Sequence, residues 1–189
     1  MPCKDEITED SLLSFLETRR GKLDGVCITG GEPTIHPDLE ALICKIRAMG
    51  FQVKLDTNGT NPKMLRTLCE AGLLDMVAMD VKNAPEKYPL TAGTEHSQID
   101  AVNESVQFLL RGTVPYEFRT TIVRGYHETA DMERIGQWIR GADAYYLQAF
   151  RDSGALIASG CGGLPPAEMQ KLLDAVKPYV PNGRLRGID

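Results

Sequence analysis

Residues 19–39 read RRGKLDGVCITGGEPTIHPDL. Within them a short apolar run, residues 25–29, leads into Gly30, Gly31, Glu32 and Pro33. The run has the length of a buried strand and is too short for a helix. Two residues without side chains permit a tight turn and let a ligand's polar head reach main-chain groups directly. Beyond the turn, Pro37 suits the first turn of a helix and Gly50 suits its end. Leu39, Leu42, Ile43 and Ile46 share one helical face, so residues 37–49 are predicted as helix. Strand, glycine turn and helix in that order form the repeating unit of a parallel α/β fold.

The same unit recurs on both sides. Residues 8–20 are predicted as a helix capped by Thr8, with Leu12, Phe15 and Leu16 at helical spacing. Strands are predicted at residues 51–55, 75–81, 116–123 and 144–149, with a short one at 184–188. Helices are predicted from Asn61-Pro62 to Gly72, and over residues 98–110, 129–140 and 166–179. Residues 83–94, rich in Pro, Gly and Thr, are predicted as loop. Such alternation means parallel strands joined by right-handed crossovers. A doubly wound sheet and a partial barrel both satisfy it. The length of 189 residues suits one domain.

Hydrophobic residues make up 42% and charged residues 25%, as in ordinary globular chains. A net charge of -5 disfavours nucleic acid or a membrane surface as the main partner. No apolar run reaches the length of a membrane span, and the polar start is unlike a signal peptide, so a cytoplasmic location is expected. The five cysteines, Cys3, Cys27, Cys44, Cys69 and Cys161, form no CxxC and are expected to be reduced. Cys27 and Cys44 sit within apolar patterns and are expected to be buried.

Ligands of parallel α/β folds bind at the carboxyl ends of the strands. Each predicted strand here runs into polar residues. Gly30-Gly31-Glu32 follows the first and Asp56-Thr57-Asn58-Gly59 the second; Asp80 and Lys82 end the third. Arg119 and Thr121 lie in the fourth, and Gln148, Phe150 and Arg151 close the fifth. Asp56 and Asp80 end consecutive strands, so they should lie close. Two adjacent carboxylates are costly unless a cation or a cationic ligand group lies between them. Lys82 and Arg119 could meet a ligand carboxylate or pair with these acids. Capping of the next helix is the alternative role for Asp56. His36, His96 and His127 lack metal-ligand spacing, and no Gly-x-Ser-x-Gly elbow, GxGxxG or Walker A motif occurs.

These residues together resemble one family. RRGKLDGVCITGGEPTIHPDL is similar to the GGE-bearing strand and helix of radical S-adenosylmethionine (SAM) enzymes. VKLDTNGTNP (residues 53–62), LLDMVAMDVKNAPEKY (73–88) and YEFRTTIV (116–123) resemble the next strands in the activators of glycyl-radical enzymes. The combination is nearest to activating proteins of anaerobic ribonucleoside-triphosphate reductase, and more distantly to pyruvate formate-lyase activating enzyme. It implies a partial (β/α)6 barrel. It also implies that Gly30, Gly31 and Glu32 contact the methionine amino group of SAM, with Lys82 and Arg119 near the same end. Asn58 and Phe150 are implied as further SAM contacts. Asp56, Thr57 and Asp80 match positions that hold a monovalent cation. The implied chemistry is one-electron cleavage of SAM by a 4Fe–4S cluster, with flavodoxin or ferredoxin as donor. The resulting 5′-deoxyadenosyl radical takes a hydrogen from a glycine of the partner enzyme.

The sequence departs from the family in one respect. The cluster is held by CxxxCxxC in a loop before the helix that corresponds to residues 8–20, and no such motif occurs. The chain is therefore expected to lack the first barrel strand and its loop, and to be inactive as it stands. An in-frame CxxxCxxC encoded before Met1 would identify a shortened radical SAM enzyme. Strand 25–29 should then present an open edge that pairs with another copy. Light scattering should show a dimer that grows with concentration, and a monomer at every concentration would contradict this. Two other readings remain: a cluster-less binding domain, and a barrel aldolase forming a Schiff base on a desolvated Lys82.

Overall fold

The computed structural model describes residues 7–93, 98–151 and 162–188. Six strands form one sheet: β1 (Gly25–Ile28), β2 (Gln52–Thr57), β3 (Met76–Asp80), β4 (Tyr116–Ile122), β5 (Tyr145–Ala149) and β6 (Gly183–Arg186). All pairings are parallel and the spatial order equals the chain order. A doubly wound sheet must reverse its strand order at a switch point. Strictly sequential order with right-handed crossovers winds one way and puts the helices on one side. The partial barrel is therefore the architecture, with β1 at one edge of the sheet among the described residues.

The two faces of the sheet differ in chemistry, because strand side chains alternate. Val53 and Leu55 of β2, Val77 and Met79 of β3, and Phe118 and Ile122 of β4 point to the helices and are fully buried. The opposite, concave face carries Cys27, Lys54, Asp56, Asp80, Glu117, Arg119, Tyr146 and Gln148. The registers Cys27↔Lys54, Asp80↔Arg119 and Arg119↔Tyr146 align them in rows across the strands.

Helix α1 (Glu9–Glu17) starts at Thr8, whose hydroxyl accepts from the Ser11 N–H. Helix α2 (Leu39–Ala48) buries Leu39, Ile43 and Ile46. In α3 (Pro62–Glu70), Leu65 and Leu68 are buried. Each such side chain taken from water contributes about 1.5–3 kcal/mol. Helices α5 (Ile99–Leu109), α6 (Thr129–Trp138) and α7 (Pro166–Val176) complete the layer. The predicted elements are all present, with ends moved by up to three residues.

Three expectations need correction. Residues 88–92, predicted as loop, form a short helix α4 (Tyr88–Ala92), with Pro89 in its first turn and Gly93 as a left-handed stop. Cys27 is exposed, because Val26 and Ile28 take the helix side of β1 and Cys27 the concave side. Cys44 is exposed as well, since Ile43 and Ile46 claim the buried stripe of α2. Cys69 is buried, and burial pushes its thiol up to about 11. Cys3, His96 and Cys161 lie outside the described residues.

Candidate functional site

The turn after β1 depends on backbone that only glycine adopts freely. Gly30 and Gly31 have φ of +96° and +55°. A Cβ at either would meet nothing within 4 Å, so open space adjoins both backbones. Glu32 then turns inward. Its Oε1 accepts from the Thr34 N–H at 3.1 Å, the Thr34 hydroxyl at 2.6 Å and the Thr57 hydroxyl at 2.7 Å. Its Oε2 accepts from the Asn58 N–H at 2.6 Å. The carboxylate thus ties the glycine turn to the end of β2. Asn61 adds a second tie: its Oδ1 caps α3 at the Met64 N–H, and its Nδ2 donates to the Thr34 carbonyl at 2.7 Å. Asn61, not Asp56, is the cap of that helix.

On the concave face, Asp56 and Asp80 are bridged by one guanidinium. Arg119 Nη1 lies 3.0 Å from Asp56 Oδ2, and its Nη2 and Nε lie 3.0 and 3.1 Å from Asp80 Oδ1. The register Asp80↔Arg119 and the adjacency of β2 and β3 make this geometry possible. The positive charge that two neighbouring carboxylates require is therefore supplied from within the chain. Lys54 and Lys82 flank the bridge, each 2.8 Å from a carboxylate oxygen of Asp56 or Asp80. Cys27 Sγ and the Thr29 hydroxyl also donate to Asp56. Burial raises the Asp56 pKa, but the hydrogen bonds from Lys54 and Arg119 outweigh it, and the carboxyl sits below its ordinary 3.8.

Thr57 faces the other way. As the neighbour of Asp56 on a strand it points to the helix side, donates to Glu32 and accepts from the Gly59 N–H at 3.1 Å. Its hydroxyl is engaged by Glu32 and Gly59, while the two Asp carboxylates pair with Arg119. Among the described residues no group of three or more His, Cys, Asp or Glu side chains is placed to hold a metal ion.

One cavity of about 120 Å³ gathers most of the residues singled out in the sequence. Gly30, Gly31, Asp56, Thr57, Asn58, Asp80, Lys82 and Arg119 line it, together with Thr29. Glu32 stands behind its wall, and Phe150 lies one residue past the end of β5, half-buried. Two carboxylates, Asp56 and Asp80, and two cations, Lys82 and Arg119, line it, with Lys54 bonded to Asp56. Open main chain beside charges of both signs suits a small ligand carrying both an amino and a carboxylate group. The sequence reading missed Lys54 and Cys27. For Lys54 the signal was the period of two along β2, which puts it on the face of Asp56; Cys27 joins that face through the register Cys27↔Lys54. Lys82 is in a half-exposed ion pair with Asp80, not in the desolvated setting that a Schiff-base lysine requires.

Further along the concave face, Arg186 forms two 2.9 Å bonds to Glu117 and stacks 3.6 Å from the Tyr146 ring centroid. This pair fastens β4 to β6. His127 is buried at the top of the sheet. Its Nδ1 accepts from the Val123 N–H and its Nε2–H donates to the Lys82 carbonyl, a structural clamp between the ends of β3 and β4.

Comparison with known proteins places these features. A model of the Radical SAM superfamily matches residues 4–135. Two proteins of Methanocaldococcus jannaschii named "Putative glycyl-radical enzyme activating enzyme" are similar to the chain. One is 32% identical over 136 residues, covering 70% of this chain and 57% of that protein. The other is 25% identical over 149 residues, covering 77% and 57%. The chain thus spans little more than half the length of these relatives. A crystal structure of a domain of pyruvate-formate lyase-activating enzyme from Bacteroides vulgatus shares the fold, with a TM-score of 0.70 at 14% identity. That match covers 86% of this chain and 99% of the domain.

Proposed function

The chain belongs to the radical SAM superfamily, and on that premise we propose that the Gly30–Gly31 turn and the Asp56–Arg119–Asp80 bridge bind the methionine end of SAM. The observation behind the proposal is that open glycine backbone and the charge cluster share one small cavity. The main chain of Gly30 and Gly31 takes the amino group. Lys82 and Arg119 offer donors to the carboxylate. Asn58, and Phe150 at the end of β5, are the further contacts proposed. Glu32 acts through its four hydrogen bonds, by holding the glycine turn at the right distance from β2.

Bound and reduced by one electron, SAM supplies hydrogen-atom abstraction, and the protein's part is binding, orientation and exclusion of water. The described residues do not supply cluster ligands. Cys27, Cys44 and Cys69 lie on β1, α2 and α3, and partial desolvation against the sheet and the charge of Asp56 raise the Cys27 thiol pKa. Reduction is accordingly proposed only for a protein that joins this chain to a cluster-binding segment, with flavodoxin or ferredoxin as electron donor in the cytoplasm. No helix among the described residues is long and apolar enough to cross a membrane.

The proposed reaction is installation of a glycyl radical on anaerobic ribonucleotide reductase. The names of the two archaeal relatives support glycyl-radical installation, and the resemblance of the LDTNG and MDVK strand ends is the ground for choosing the reductase as its target. Electron paramagnetic resonance tests it directly. The cluster-bearing protein, mixed with SAM, reductant and the reductase, should give a glycyl doublet on the reductase that requires SAM. A doublet only on pyruvate formate-lyase, or on neither protein, would contradict the assignment.

A further inference from the structure

Past Asp80 the main chain leaves β3 and carries Lys82 to the cavity. The Val81 N–H still donates to the Arg119 carbonyl at 2.8 Å. The next two carbonyls are held by side chains. The hydroxyl of buried Thr120 donates to the Val81 carbonyl at 2.7 Å and accepts from that of Tyr145 at 2.7 Å. Asn83 is fully buried, and its Nδ2 donates to the Tyr126 carbonyl at 2.9 Å. Val81 and Asn83 are thus fixed in the interior on either side of Lys82, whose side chain is 42% exposed.

The Lys82 carbonyl belongs to His127. This ring is 5% exposed, and its Nε2–H donates to that carbonyl at 2.9 Å. Nδ1 accepts from the Val123 N–H at 3.1 Å. A ring nitrogen that accepts carries no proton, so Nε2 carries it and the direction of both bonds is set. A buried carbonyl needs a donor, and a short hydroxyl would meet that need as Thr120 does for Val81. The ring adds a link of fixed length between the Lys82 peptide and the end of β4. Lysine gains most from such a link. Its charge is a point on a flexible four-carbon stem, without the preset fork of a guanidinium. Arg119 is held by two carboxylates, whereas Lys82 Nζ has one partner among the described residues, Asp80 at 2.8 Å. The place of the ammonium therefore depends on that bond and on the Lys82 backbone.

We propose that His127 is a positioning residue: by tying the Lys82 peptide to β4 it sets where the Lys82 ammonium stands in the cavity under Gly30 and Gly31. Its purpose rests on the reading of Lys82 as a donor to the SAM carboxylate. His127 itself does not line that cavity.

Two substitutions separate the two bonds of the ring. In His127→Asn the amide oxygen takes the place of Nδ1 and still accepts from Val123, but the side chain is too short to reach Lys82. In His127→Gln the amide nitrogen takes the place of Nε2 and still donates to Lys82. SAM is titrated calorimetrically at a temperature where circular dichroism shows every variant folded. His127→Asn should bind about tenfold more weakly than wild type, the order of one hydrogen bond, and His127→Gln should recover most of the loss. NMR of the ligand-free chain, labelled with carbon-13 in lysine, reads the placement itself. The two Hε protons of Lys82, assigned as the signal that Lys82→Met removes, should be resolved from each other in wild type and His127→Gln, and merged in His127→Asn. The proposal is overturned, with the SAM reading intact, if His127→Asn binds SAM as tightly as wild type or His127→Gln binds no better than His127→Asn. It is also overturned if the Lys82 signals are merged in wild type or alike in all three proteins. The expected NMR pattern without SAM binding to wild type would overturn the SAM reading and uphold the placement of Lys82 by His127.

Discussion

Replacing Arg119 by methionine should lower stability by about 2–4 kcal/mol at neutral pH, and the loss should shrink in acid. Removing one partner of a buried ion pair typically costs about 3–5 kcal/mol, because the other charge stays behind. Here the side chains of Arg119, Asp56 and Asp80 are 13%, 16% and 30% exposed, and partial solvation reduces the figure. The pH dependence follows from Asp56. In the wild type its pKa lies below 3.8, so the stability it contributes is present above about pH 4 and is lost as pH falls through the depressed value. Without the guanidinium, burial and the facing Asp80 raise that pKa. The variant is then relieved when the carboxylates take up protons. The stability gap should therefore be widest above about pH 5 and narrow below about pH 4. Urea unfolding at both ends of that range measures it. A gap that is absent at neutral pH, or the same size in acid, would show that the bridge has no such role.

Glu32→Gln carries the second large expectation, a loss of about 1–3 kcal/mol. The carboxylate receives four donors on its two oxygens. An amide has one accepting oxygen, and its NH₂ must face at least one N–H or O–H that needs an acceptor. If the oxygen keeps Thr34 and Thr57, the NH₂ meets the Asn58 N–H, and the Gly30–Gly31 turn loses its tie to β2. Thermal unfolding should register the loss with no ligand present. An unchanged unfolding temperature would mean that Glu32 is free to serve a ligand, contrary to its observed bonds.

Much of this was legible in the sequence because strand ends are local features. Gly30-Gly31-Glu32, Asp56 and Asp80 each follow an apolar run, and ligand sites of parallel sheets lie there. What Arg119 touches was not legible. Its two readings, ligand contact or partner of an acid, differ only by the register Asp80↔Arg119, which local pattern does not encode. That Glu32 also ties the turn to β2 was not legible for a similar reason: two of its donors, Thr57 and Asn58, arrive 25 and 26 residues later. Cys27 was read as buried from its apolar neighbours, although period two placed it opposite them. Helix α4 was hidden by its proline and glycine, which mark loops more often than five-residue helices. The choice between barrel and doubly wound sheet needed the order of the strands, which alternation alone leaves open.

The concave end of the sheet is proposed as a SAM site formed by Gly30, Gly31 and the Arg119 bridge. Calorimetric titration of SAM into the chain and into Arg119→Met tests it most directly, at a temperature where circular dichroism shows both folded. The wild type should bind one SAM weakly, and the variant should lose that binding. No saturable binding to the wild type, or equal binding to both, would contradict the claim.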